Sequence, residues 1–182
     1  LGAELIGADT VEAAAESVLT AIAALKAAGI TGISVDFTMP DLVQTLVKGD
    51  DAFDHETTDA IRRELDTKDA GGLKAVGGKA FLPLLYATGP VDEALSQLRE
   101  FDSKGALTSR LDGLAAIATR IGDGARVTLD PTERHGFEYQ SWFGFTLYAE
   151  GLHGAIGRGG TYKIGGTGEA ATGFTLYLDA LE

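Results

Sequence analysis

The sequence contains no cysteine, which excludes disulfides and thiolate metal sites and is in keeping with a reducing compartment. It has no apolar run approaching the roughly 20 residues needed to cross a bilayer. Its opening, Leu1 to Gly7, lacks the basic flank and the length of a signal peptide. No membrane association is expected, and the cytoplasm is the default location. Basic residues are scarce, with 15 Lys and Arg against 27 Asp and Glu and a formal net charge of -12. A field of that sign repels phosphate backbones, so bulk charge speaks against nucleic-acid binding and is read first as a source of solubility. Histidine is also sparse. His55, His135 and His153 show neither HxxxH nor HxH spacing, so no metal site is expected.

What is present suffices for a core. Of 182 residues, 45% are hydrophobic, enough for one or two compact domains. Leu1 to Gly7 reads like the middle of a strand, so a preceding segment is expected in the natural protein. Asp9 and Thr10 offer capping oxygens, and Val11, Ala14, Val18, Ile22 and Leu25 recur on one helical face before Gly29 ends the run. Ile33 to Phe37 alternates as a half-buried strand, and a short helix through Lys48 follows the break at Met39-Pro40-Asp41. In the charged stretch from Gly49 to Lys68 the spacing of Phe53, Ile61 and Leu65 is helical, which predicts a solvent-facing helical insertion, and the region 50–121 as a whole reads as a helical insertion. Gly71-Gly72 and Gly77-Gly78 predict a flexible connector, since no GK[ST] follows to make a phosphate loop.

Two more helices are predicted, Val91 to Ser103 and Ala106 to Ile121, the second with Leu107, Leu111, Leu114, Ile117 and Ile121 on a stripe. The runs Ala125 to Leu129, Gly136 to Ala149 and His153 to Ile164 then look like an antiparallel meander, and Gly173 to Glu182 like a strand, alone or running into a helix. The fold class is α+β, an antiparallel sheet flanked by helices. Gly157 to Gly160 reads mainly as a hairpin turn that also allows close backbone approach. Arg158 and Lys163 are able to pair with an anion but read first as solvated edge charges. Trp142, Phe143, Phe145 and Tyr148 fit sheet core or a subunit interface.

Four segments, in order, resemble the class II histidyl-tRNA synthetase family. They are Gly2-Ala3-Glu4-Leu5-Ile6-Gly7, Arg134-His135-Gly136-Phe137-Glu138-Tyr139-Gln140, Gly157-Arg158-Gly159-Gly160-Thr161-Tyr162, and Ala171-Thr172-Gly173-Phe174-Thr175-Leu176-Tyr177-Leu178-Asp179. The first is similar to the strand after the motif 2 loop, the second to the R-G-L-D-Y-Y histidine signature, the third to G-G-R-Y, and the last to motif 3. The resemblance implies the C-terminal portion of a class II synthetase-like core over 1–182, without motif 1 and most of motif 2. It also implies a histidine-like pocket drawn from Glu4, Arg134, His135, Glu138, Tyr139, Gln140, Gly159, Gly160 and Tyr162. By the residues alone Glu4 stays open between a pocket ligand and an exposed strand carboxylate, and His135 between a pH-responsive and a structural role.

The departures point the same way. Motif 3 ends on an arginine that grips the ATP phosphates, and Ala180 stands there; G-G-R-Y has an arginine where Thr161 stands, which implies a second lost pocket charge. Kept scaffold with lost arginines resembles the regulatory-subunit family of ATP phosphoribosyltransferase, a histidyl-synthetase-like paralogue. That family implies no synthetase catalysis, no cofactor, no tRNA, a short catalytic subunit as partner, a homodimer within a hetero-oligomer, and histidine as a candidate ligand. A divergent histidyl-tRNA synthetase fragment and a histidine-binding or dimerisation module are the alternatives.

Overall fold

Thr10 starts the first helix. Its hydroxyl oxygen accepts a hydrogen bond from the Ala13 backbone N–H at 3.3 Å, satisfying one of the donors that a helix start leaves open, and α1 runs over Val11–Ala27. Ala14, Val18, Ile22 and Leu25 are all buried, as their spacing predicts. Replacing Thr10→Ala is expected to cost about 1 kcal/mol, read as a lower urea midpoint. An unchanged midpoint would mean that the cap contributes nothing.

The computed structural model describes residues 1–134 and 140–180. Strands β1 (Gly2–Ile6), β2 (Ile33–Thr38), β3 (Gly89–Pro90), β4 (Arg126–Leu129), β5 (Gln140–Ala149), β6 (Gly157–Lys163) and β7 (Ala170–Leu176) form one seven-stranded sheet of order β1-β7-β6-β5-β2-β4-β3. Every neighbouring pair is antiparallel except β2 and β4, which run parallel. The expected meander therefore needs correction. It runs through β5, β6 and β7, while β2 separates β4 from β5. A parallel partner requires a long crossover. Here α2 (Leu42–Val47), α3 (His55–Asp66), α4 (Ala70–Ala75), α5 (Val91–Phe101) and α6 (Thr108–Ile121) lie in the chain between β2 and β4.

The stripe on α6, with Leu107 before it, is buried throughout, and α6 packs against α1 and α5. Helix α3 is not wholly solvent-facing: Ile61 and Leu65, whose spacing is helical, are buried together with Thr58 and form one inward face. The glycine-rich stretch is not a loose connector either. The Asp69 carboxylate accepts from the Gly71 and Gly72 N–H groups at 2.8 and 2.9 Å and starts α4. A Cβ on Gly72 would come within 2.2 Å of the Glu64 carboxylate, a flexible side-chain end that is able to swing aside.

The aromatics belong to the core. Phe143 meets Phe37 edge-on at 5.1 Å between ring centroids and stacks on Phe145 at 5.7 Å. Trp142 donates its indole N–H to the Asp9 carbonyl at 2.7 Å, and the Arg110 guanidinium lies 5.9 Å from its ring centroid while bonding Asp41. Among the described residues no helix is long and apolar enough to cross a membrane.

Candidate functional site

Side chains alternate across a strand, so register decides which residues share a face. Glu4 stands opposite Gly173 on β7, and Gly173 opposite Gly160 on β6. Arg158, Gly160 and Tyr162 therefore share one face of β6 with Glu4, while Gly159 and Thr161 point to the other, helix-covered face. On the first of these faces lies a cavity of about 480 Å³. Its lining includes Glu4, Gln140, Arg158, Gly159, Gly160 and Tyr162, with Gly173, Phe174, Thr175 and Tyr177 completing the described wall.

The Tyr162 hydroxyl donates to Glu4 Oε1 at 2.8 Å, and the Gln140 side-chain amide donates to the Gly159 carbonyl at 2.9 Å. Glycine is required in the floor: a Cβ on Gly160, whose φ is +155°, would sit 2.4 Å from the Phe143 carbonyl, and one on Gly173 would sit 2.7 Å from the Ala3 carbonyl. The glycines at 157, 159 and 160 thus lie inside a strand and not in a turn. Bulkier residues there would collide with neighbouring backbone, which composition alone does not reveal.

Five of the sequence-predicted site residues come together at this cavity: Glu4, Gln140, Gly159, Gly160 and Tyr162. Arg134 lies apart. It borders a crevice with Met39, Arg62 and Leu65, and its backbone N–H donates to Asp66 at 3.0 Å. His135, Glu138 and Tyr139 lie outside the described residues. Arg158 is not an edge charge, because β6 is flanked by β5 and β7. Its place two and four residues before Gly160 and Tyr162 is the signal that would have assigned it to the cavity.

Thr161 calls for a second correction. It is fully buried on the far face, accepting from the Ser141 hydroxyl at 2.8 Å and donating to the Phe143 carbonyl at 3.3 Å. No cavity charge is lost there, since that position does not face the cavity. Ala180 ends a 3₁₀ turn, Leu178–Ala180, half-buried against the core.

Further along the same face, Asp36 accepts from the Thr128 hydroxyl at 2.6 Å. Lys68 donates to Asp130 at 2.6 Å and also bonds the Thr132 hydroxyl. Burial holds the Asp36 carboxyl above the ordinary carboxylate range, and Asp130 adds to this against the opposing pull of Thr128 and Lys68. Burial likewise raises Glu133, with Asp130 and Asp36 adding repulsion. A carboxyl raised in the folded state is ionised first in the unfolded chain. Stability is therefore lost as pH rises from the ordinary aspartate value of about 4 through the folded value. Asp36→Asn keeps an oxygen for Thr128 and removes the penalty. It is expected to match or exceed the parent in urea midpoint at pH 7, the difference shrinking toward pH 4; a lower midpoint at pH 7 would contradict this.

A mixed sheet with helices on one face and a glycine-floored polar cavity on the other defines a class II aminoacyl-tRNA synthetase-like core. A family model described as histidyl-tRNA synthetase matches residues 1–181, and the chain belongs to that family. It is 40% identical over its whole length to a Rhodospirillum centenum protein named ATP phosphoribosyltransferase regulatory subunit, covering 48% of that protein. A Paramagnetospirillum magneticum protein of the same name is 38% identical over 99% of the chain, again covering 48% of the relative. The chain thus spans about half the length of the curated relatives it matches.

Among solved structures, an ATP phosphoribosyltransferase regulatory subunit/histidyl-tRNA synthetase from Bacillus halodurans C superposes with a TM-score of 0.82 at 23% identity, over 99% of this chain and 51% of that one. The ATP phosphoribosyl transferase (HisG:HisZ) complex from Thermotoga maritima gives 0.72 at 18% identity, over 96% of this chain and 64% of that one. At these identities the likeness establishes the fold.

Proposed function

We propose that the chain forms part of a non-catalytic regulatory subunit of ATP phosphoribosyltransferase, acting in the first step of histidine biosynthesis with a short catalytic subunit as its partner. The observation that carries this reading is the 38–40% identity, over nearly the whole chain, to relatives that bear that name. Ala180 supports it, because it stands where the synthetase pattern places the arginine that neutralises ATP phosphates. The same reading makes the protein a homodimer within a hetero-oligomer and residues 50–121 an insertion into the core. Coexpressed with the short catalytic subunit, the full-length protein is expected to co-elute with it in size exclusion. Separate elution at micromolar concentration would overturn the assignment.

The cavity is read as a histidine pocket, with the Glu4 carboxylate facing the ligand's ammonium. Hydrogen bonds to charged groups contribute roughly 1.5–3 kcal/mol, so Glu4→Gln is expected to weaken histidine binding about ten- to hundredfold in calorimetry. Equal affinity in parent and variant would place the ammonium elsewhere.

A further inference from the structure

We infer that Lys68 is a positioning residue, through which the helical region 50–121 holds the loop Asp130–Arg134 against the cavity-bearing face of the sheet and so controls the cavity from outside it. The inference rests on the reading of the cavity as a histidine pocket for the ligand that tests it.

Helix α3 closes in a left-handed turn. The Lys68 N–H donates to the Leu65 carbonyl at 3.1 Å and the Asp69 N–H to the Glu64 carbonyl at 2.9 Å, a helix ending that gives the residue after the cap a positive φ. Glycine is the usual occupant, because a side chain there is strained. Among the described residues Lys68 is the one non-glycine with such a backbone, at φ +58°. The backbone gains nothing from a lysine, so the reason for one lies in its side chain. The ammonium crosses 62 positions of sequence to Asp130, 2.6 Å away, and bonds the Thr132 hydroxyl as well.

The loop it reaches is held at three points. The Asp130 N–H donates to the Phe37 carbonyl at 2.9 Å, Lys68 grips the middle, and the Arg134 N–H donates to Asp66 at 3.0 Å. Two of these holds come from the end of α3. Without Lys68 the loop's own charge works against its seat: burial raises the Asp36 and Glu133 carboxyls, Asp130 repels both, and Lys68 is the cation that opposes this at each. The seat adjoins the cavity. Asp36 faces Thr146 and Thr146 faces the cavity-lining Arg158, so they share one row across the sheet. Burial also raises Tyr148 on β5, with Glu133 and Asp36 adding and Arg158 opposing, so charges of the loop and of the cavity wall act on one side chain. Gln140, which lines the cavity and donates to Gly159, follows this loop in the sequence.

Hydrogen exchange and calorimetry with L-histidine, on the full-length protein and its Lys68→Gly and Lys68→Arg variants, test this. Glycine suits the left-handed position, so Lys68→Gly is expected to keep the parent's urea midpoint. Exchange over residues 130–134 and 140–144 should nevertheless become faster. Histidine affinity should fall about three- to thirtyfold, the range usual for coupling through a chain of contacts. Lys68→Arg, which keeps a cation at the same place, should restore both. A midpoint that falls with the affinity and is not recovered by arginine makes Lys68 merely structural and overturns the inference. Unchanged exchange over 140–144, or unchanged affinity, in Lys68→Gly also overturns it and leaves the histidine reading standing. If the parent binds no histidine, the histidine reading fails, and exchange over 140–144 decides the inference by itself: faster in Lys68→Gly and restored in Lys68→Arg supports it, and unchanged overturns it.

Discussion

No histidine-dependent exchange of pyrophosphate into ATP above background is expected from the full-length protein. Adenylyl transfer depends mainly on positioning and on neutralising the charge of the phosphates, and a guanidinium that does so contributes about 10³–10⁵ in rate in comparable systems. The histidyl-synthetase pattern places such a residue at the end of motif 3. Here that position is Ala180, closing a short 3₁₀ turn directly after β7 and packed half-buried on the core. An alanine there offers no donor to a phosphate. An exchange rate within about tenfold of a working synthetase would contradict the loss of this chemistry, on the scale of the arginine contribution just given, and would favour the divergent-synthetase alternative.

The largest effect on stability is expected from Phe143→Ala. The ring is fully buried, edge-on to Phe37, stacked on Phe145 and 5.5 Å from Trp142, so its removal leaves a cavity that several large neighbours are unable to fill. Truncations of this kind cost about 3–5 kcal/mol, against a total stability of about 5–15 kcal/mol for a typical domain. Phe143 also underlies the cavity floor, because its carbonyl lies where a Cβ on Gly160 would come. Urea unfolding should show a large drop in midpoint, and ligand binding should fall with it. A loss below about 1 kcal/mol, well under the usual range for buried phenylalanine, would contradict this packing.

Helices with a clear apolar stripe were legible from the chain because burial on one face imposes a period that composition cannot hide. The stripes on α1 and α6 are the plain examples. Helix α3 was less legible, its apolar face being reduced to a few residues among many charges. The pairing of β4 with β2 was not legible at all: partners some 90 positions apart, such as Phe37 and Leu129, leave no local trace. Of the positions that the motifs single out, Glu4, Gln140, Gly159, Gly160 and Tyr162 line one cavity. Arg158 and Thr161 were misplaced because a motif records positions along a strand but not which face each side chain takes. Alternation from Tyr162 corrects both, once the segment is known to be a strand and not a turn.

The regulatory assignment is tested most directly by the steady-state rate of phosphoribosyl transfer to ATP by the short catalytic subunit, measured as full-length protein is added. The rate is expected to rise and saturate at a fixed ratio of the two chains. A rate that stays the same at every ratio would contradict the assignment.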